Sequence, residues 1–541
     1  MNYKIVAITD TQYYEENFSL KKLAAKVACA KALDDQTLHE LLADPLLAST
    51  AQIEPLAQII DRLKLAKKRQ EHVLVCGDYD ADGICATTIM VYALRRYGIT
   101  CGYYIPNRFR EGYGLSCNTV ELAYEKGYQL LITVDNGVKA FAACERAQAL
   151  QLDLILTDHH QYEELPPHLL FLHPAILPKR FANMCGAAMA LLIANALIGE
   201  QYDTMIWAMI ATIGDVMPLE AENRMIVRKG LSYLRRGFAV PIQKLAAPFV
   251  KWDETAVAFQ IVPKLNAIGR MADEANANMA VRYLLSGNME EIEKCAQQII
   301  ALNAYRKVKS EEMYQRCMQL TLPQTQFQIL YDPSFHEGLL GIAAGRIANE
   351  LHVPTMVLTK KDDHVSGSVR SVGSLDLMTF FAPWKDRFIR FGGHQKACAI
   401  TIDAEQLPQL RAYCEQEIDP TLLQEDHDET LICLEPEEIT LEAALDLMRL
   451  APFGEGWKKP LFLVKLDDLT MTRLKGGHLK FNKGDLELIY FNAPQLDEAF
   501  FDQDDHGFVV SVAIKHYRGK QSVQLQIQDV ISVSDGTSLL L

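Results

Sequence analysis

No stretch of eighteen apolar residues occurs in this 541-residue chain, so a helical membrane span is not expected and a soluble protein is. The opening MNYKIVAITDTQYY lacks a basic segment followed by an apolar one; no secretory signal is visible, and a cytoplasmic location is expected. Twelve cysteines are present without a single C-x-x-C pair, which removes the common zinc and dithiol patterns. Several of them (Cys85, Cys144, Cys295) lie in apolar helical stretches and read as reduced, buried thiols. Cationic excess is lacking too. The net charge is −15, which is awkward for a nucleic-acid enzyme because phosphates are bound by Lys and Arg. Part of the acid excess sits in QEDHDET at 424–430 and part in the clusters described next, so local patches decide the partner. Neither an internal repeat nor a long low-complexity segment is present.

What the chain does have is three acidic turns, each following a short apolar run. VLVCGDYDADG ends at Gly83, LLITVDNG at Gly137 and LILTDHH at His160. The runs Val73 to Cys76, Leu130 to Val134 and Leu154 to Thr157 read as buried parallel strands separated by helical patterns. In an open α/β sheet the residues just past the strands' carboxyl ends converge on one crevice. Asp78, Asp80, Asp82, Asp135, Asp158, His159 and His160 are therefore expected around one small volume, where like charges repel unless cations neutralise them. Any one of these aspartates, taken alone, reads first as a helix cap or turn residue. Three clusters in register on consecutive strands do not. Carboxylates with imidazole and no thiolate suit Mn²⁺ or Mg²⁺. Two such ions, about 3.5–4 Å apart, are the usual machinery of phosphodiester hydrolysis.

The length suits three or four domains. Residues 1–50 read as a helical segment without chemistry, and 51–285 as a doubly wound α/β domain. In the latter, Asp215 closes the apolar helical run DTMIWAMIATIG and could add a carboxylate. Residues 286–324 hold one long connecting helix, and 325–422 a smaller mixed α/β domain with strands QFQILY, TMVLT, SGSVR and ACAITI. Residues 423–541, after the acidic linker, alternate like a small OB-type β-barrel. There Lys475, Lys480 and Arg518 lie beside Phe481 and Tyr517, a pattern suited to stacking and neutralising a single strand, or equally to a solvated hairpin over core aromatics.

DYDADG, TVDNG and DHH in that order resemble the first motifs of the DHH phosphoesterase superfamily. GGH at 392–394 resembles the signature of its DHHA1 branch. IPNRFREGYGLS at 105–116, IGDVMPLEAENR at 213–224, FQIVPKLNAIGRM at 259–271, HEGLLGIAAGRIA at 336–348 and APFGEGWKKPLF at 451–462 are similar to the RecJ family. The resemblance covers roughly residues 50 to 535. It implies a metal-dependent exonuclease that degrades single-stranded DNA from the 5′ end in recombination and repair, with DHH and DHHA1 domains around a groove, a long helix and an OB-fold.

It further implies that Asp80, Asp82, Asp135, His159 and Asp215 ligate two Mn²⁺ or Mg²⁺ ions, Asp135 bridging. Asp78 and Asp158 would orient neighbours, and His160 would face the scissile phosphate. Arg108, Arg270, Ser368, Arg370, Gly392, Gly393 and His394 would contact phosphates. Two positions depart from the family pattern: Val369, where Gly is usual in Gly-Ser-Gly-Arg-Ser, and Ala399. A monomer that acts on single-stranded DNA and meets single-strand-binding protein is the expectation. The alternatives are a phosphodiesterase of short oligonucleotides or cyclic dinucleotides and, in another class, a non-catalytic single-strand-binding scaffold.

Overall fold

The computed structural model describes residues 2–50, 52–424, 428–484, 486–491, 493, 506–517 and 519–532. The chain forms two compact units, 46–426 and 1–45 together with 427–541.

In the larger unit, five parallel strands stand in the order 101–104, 73–76, 130–133, 153–157, 170–172. The short apolar runs of the central strands Val73–Cys76 and Leu130–Thr133 follow from burial on both faces. Val73 and Val75, with Leu130 and Ile132, face one core beneath the helices Ala81–Tyr97 and Gly186–Ile198. Leu74 and Cys76, with Leu131, face the other beneath Cys117–Glu125 and Phe141–Ala149. The chain leaves strand 73–76 for one neighbour and returns on its other side, so the topological switch lies between Val73–Cys76 and Leu130–Thr133. That is where such sheets bind ligands.

The connecting helix runs Met289–Leu320, capped by Asn288, whose Oδ1 accepts from the amides of Glu290 and Glu291. Ile292 and Ile299 pack on the first core, and Met313, Tyr314 and Cys317 on that of the second half of the unit. This half carries a mixed sheet in the order 390–394, 397–403, 364–370, 355–361, 328–331. Strand His364–Arg370 alternates: Val365, Gly367 and Val369 are buried, while Ser366, Ser368 and Arg370 face the other way. Val369 is thus a strand-core residue paired with Cys398 and Met356, not a loop residue that needs glycine's freedom.

The smaller unit is an eight-stranded sheet in the order 2–6, 428–434, 461–464, 506–517, 520–532, 486–490, 478–483, 470–474. Here the reading of 1–50 as a separate helical segment is corrected. Asn2–Val6 is a strand, parallel to Asp428–Leu434. The helices Lys22–Ala30 and Asp35–Leu42 bury Leu23, Val27 and Leu38 against Phe462 and Leu525. The alternation in NYKIVA is short, and only its partner strand, more than four hundred residues later, reveals it as sheet. All twelve cysteines are free thiols. Cys85 and Cys144 are buried as expected, but Cys295 is only partly so, on a helix with one face in solvent.

Candidate metal centre

The three acidic turns and the end of one helix meet at the switch point. Asp80 precedes the helix Ala81–Tyr97 and its Oδ1 accepts from the Gly83 amide at 3.0 Å. Asp82, in the first turn, accepts from the amides of Gly186 and Ala187, both at 2.7 Å. These backbone donors open the helix Gly186–Ile198, whose dipole favours an anion there. The single-residue reading of Asp80 and Asp82 as caps is therefore true, and each keeps a face toward the cluster. Asp135 sits at φ 62, a left-handed conformation that turns its carboxylate from the strand end into the crevice. Gly186 permits this: a Cβ there would lie 2.4 Å from Asp135 Cβ. Asp215 ends the helix Tyr202–Gly214 and points inward from it.

His159 Nε2 lies 3.0 Å from Asp135 and 3.6 Å from both Asp82 and Asp215. Three sets of potential ligand atoms result: Asp78, Asp80 and Asp135; Asp82, His159 and Asp215; and Asp135, His159 and His160, each within 4.8 Å. Asp135 is common to two of them. Asp78, expected to orient neighbours, stands at ligand distance itself.

Burial, and then the neighbouring carboxylates, push the pKa values of Asp78, Asp80 and Asp135 above the ordinary range, and Asp215 up to about 8. Buried Oδ1 atoms of Asp78 and Asp135 have no hydrogen-bond partner. Burial lowers the His159 pKa and so favours the neutral imidazole that a metal ligand needs. Converging carboxylates with two buried oxygens left unpartnered form a destabilised arrangement unless cations enter, so the residues fit two hard divalent ions.

Asp158 differs. Burial would raise its pKa, but hydrogen bonds from His160 Nδ1 (2.7 Å) and from the amides of Val138 and His160 outweigh that and hold it low. For His160, burial opposes the charged form, yet Asp158 wins and the pKa rises. Tyr113, whose hydroxyl donates to the Asp135 carbonyl at 3.1 Å, lies against the His160 ring. Asp158 thus favours the charged form of His160 at the mouth of the cluster.

Beside the carboxylates lies an arginine cluster. The Arg270 pKa falls to about 10, first from burial and then from Arg108, Arg306 and Arg370. Arg108 stacks on Tyr79 at 5.1 Å. Arg370 Nη1 donates to Ser368 Oγ at 2.8 Å, close over Gly341. Gly338 touches the Arg270 carbonyl so closely that a Cβ would lie 1.8 Å from it, which joins the two halves of the unit at this point. His394 follows Gly393, whose φ of 155 and approach to the Ala397 carbonyl admit only glycine. Gly392 opens onto free space. Burial and then Arg370 lower the His394 pKa. Arg108, Arg270, Arg370 and His394 are therefore brought together, with Ser368 bonded to Arg370 and Gly392 and Gly393 leading into His394.

In the smaller unit the structure departs from expectation. Phe481 is buried against Phe508 and is core, not a stacking platform. Lys480 is held by Glu487 at 2.6 Å. Lys475 is exposed; Arg518 and the Tyr517 side chain lie outside the described residues.

Three family models match the chain: the DHH family N-terminal domain over 72–214, the DHHA1 domain over 324–419 and the RecJ OB domain over 432–529. The single-stranded-DNA-specific exonuclease RecJ of Bacillus subtilis (strain 168) is 32% identical over 505 residues, which cover 88% of this chain and 63% of that protein. Its Escherichia coli (strain K12) counterpart is 28% identical over 534 residues, covering 88% and 90%. The chain belongs to the RecJ family. It thus spans less than two thirds of the Bacillus RecJ but most of the Escherichia one. The crystal structure of RecJ in complex with Mn²⁺ from Thermus thermophilus superposes with TM-score 0.84 at 25% identity, covering 98% of this chain and 80% of that one. A crystal structure of exonuclease RecJ bound to manganese reaches 0.60 at 29% identity, covering 68% and 96%.

Sequence reasoning missed some residues that lie against these clusters. Arg306 comes from the connecting helix, where no motif marks it. Asn266 accepts the Ala81 amide at 2.8 Å and buttresses the first acidic turn. Both were hidden because their partners are remote in sequence, although Asn266 lies inside the quoted stretch 259–271.

Proposed function

We propose that the protein is a metal-dependent exonuclease that degrades single-stranded DNA from 5′ to 3′ in recombination and repair. The observation that carries this reading is the juxtaposition of a carboxylate cluster, containing two unpartnered buried oxygens, with four convergent guanidiniums. Asp80, Asp82, Asp135, His159 and Asp215 would hold two Mn²⁺ or Mg²⁺ ions, Asp135 bridging and Asp78 close enough to join. When bound, the ions supply an activated water and neutralise charge on the phosphoryl oxygens. The protein's own part is positioning. Asp158 keeps the His160 ring oriented and protonated, so that it donates toward a phosphate oxygen. Tyr113 bolts the backbone of Asp135. Ser368, Arg370 and His394 grip the 5′-terminal phosphate, while Arg108 and Arg270 hold the backbone behind it. That gives the strand one direction of entry.

No helix among the described residues is long and apolar enough to cross a membrane. A cytoplasmic monomer that meets single-strand-binding protein on its substrate completes the reading, with domains at 51–285 and 325–422 joined by the helix of 286–324, and a C-terminal domain from 423 that takes in residues 1–45. The test is release of nucleotide from 5′-labelled single-stranded DNA with Mn²⁺, beside a dinucleotide. Preference for the dinucleotide would indicate a small-substrate phosphodiesterase, and binding without hydrolysis a scaffold.

A further inference from the structure

With Phe481 buried, the aromatic surface for bases must be sought elsewhere, and the larger unit holds one. Phe249 is fully exposed and Phe259 is 75% exposed. Neither is a stray tip. Phe249 stands at φ 60, a conformation unfavourable for an aromatic residue, in a loop anchored by buried Trp252, whose indole donates to Gln243 at 3.0 Å. Phe259 projects from the π-helical turn Val257–Ile261, whose end residues are buried. The Ala247 amide donates to Gln260 Oε1 at 3.0 Å and ties the two segments together.

The same helix leads to the groove. Val262 packs on Gly214, one residue before Asp215, and the helix Val262–Arg270 ends in the arginine cluster. Alongside run Lys264 and Lys307; burial and then Lys307 lower the Lys264 pKa. Among the described residues, no ion pair is formed by Lys264, Lys307, Arg270 or Arg306. In a chain of net charge −15, a line of unpaired cations flanked by exposed phenyl rings calls for a polyanion with flat apolar groups.

We propose that Phe249 and Phe259, with Lys264 and Lys307, form the platform on which a single strand stacks its bases before its backbone reaches Arg270 and Arg306. The inference rests on the substrate reading above and places base stacking in the larger unit. Nucleic acid is favoured over a protein partner because the cations continue without a break into the phosphate groove.

The test uses the full chain with Mn²⁺ replaced by Ca²⁺ for binding, and Mn²⁺ for turnover. For Phe249→Ala/Phe259→Ala, affinity for an oligothymidylate of about 20 nucleotides should fall by about 5- to 160-fold for each stacked base lost. Phe249→Trp/Phe259→Trp should restore it, whereas the Leu pair, apolar but without a ring face, should not. Lys264→Gln/Lys307→Gln should lower the slope of log K against log salt by about 1.4, roughly 0.7 for each phosphate contact on a single strand. The ratio of kcat/KM for the long strand to that for a dinucleotide should fall with the binding loss. Full affinity in the Ala pair, or rescue by Leu as good as by Trp, overturns the platform. Failure of the unaltered protein to bind any single strand overturns the substrate reading instead. Both residues face solvent, so unchanged melting curves are expected throughout.

Discussion

Gly186→Ala offers a sharper probe of the metal centre than removal of a ligand. Its Cβ would lie 2.4 Å from Asp135 Cβ and 2.8 Å from Asp135 Cα, where ordinary contact begins at 3.4 Å. Both backbones are fixed, one at a strand end and one at a helix start whose amide holds Asp82 at 2.7 Å. The Asp135 carboxylate must therefore move by about 1 Å, the shortfall in contact distance. A misplacement of that size can cost about 100-fold in rate, or about 2.7 kcal/mol of barrier. Overpacking should cost stability of only about 1–3 kcal/mol. A matched control is Gly230→Ala, whose Cβ would stand 2.5 Å from Met209 Cβ in the core, with no ligand nearby. The assay is kcat/KM on 5′-phosphorylated single-stranded DNA at saturating Mn²⁺, with thermal melting of each variant. The expected result is a lowered melting point in both and a rate loss only in Gly186→Ala. Equal losses in both, or none in either, would refute the geometry argued for Asp135.

Asp135→Ala should abolish hydrolysis while raising the melting point of metal-free protein, because it deletes a mutually repelled buried charge; more than a few per cent residual rate would contradict the bridging role. Since the folded-state pKa values of Asp78, Asp80, Asp135 and Asp215 lie above their unfolded values, the folded chain binds more protons. Metal-free stability should accordingly fall as pH rises from about 4 through about 8, and the gain on adding Mn²⁺ should grow with pH, as read by melting scans. Arg370→Ala should lower kcat/KM about ten- to a hundredfold and affect 5′-phosphorylated strands more than 5′-hydroxyl ones; an unchanged ratio would place the 5′ pocket elsewhere. A chain trimmed to 46–426 should bind long strands more weakly, with a flatter salt dependence. Cutting near Asp428 alone is the wrong experiment, because it strips the partner strand from Asn2–Val6 and the core from Leu23 and Val27.

The catalytic sheet was legible because its strands are short apolar runs ending in acidic turns, a local signal that burial on both faces makes unambiguous. The convergence of Asp78, Asp80, Asp82, Asp135, His159 and His160 followed from those turns, whereas Asp215 joins them from the end of the helix Tyr202–Gly214. Less legible was everything set by distant pairing. Ile5 takes its place only through Leu431. Arg306 lies on a helix face whose neighbour is decided by packing with Val262–Arg270. Phe481 and Lys480 alternate along one strand, and composition alone could not tell which of the two faced the core. The exposed Phe259 looked like one apolar residue among many in FQIVPKLNAIGRM until the π-turn rotated it outward.

The parallel pairing of Asn2–Val6 with Asp428–Leu434 also sets an order of events during synthesis. The first strand emerges from the ribosome and must wait for a partner 426 positions later (Asn2 to Asp428). At about 5–20 residues per second, that delay is roughly 20 to 85 s. Residues 46–426 can close their own core in that interval, whereas the leading segment, with Leu23, Val27 and Leu38 uncovered, cannot. A nascent chain would therefore carry a folded body behind an unsatisfied, sticky head. That head is the part on which chaperone engagement and premature proteolysis should concentrate.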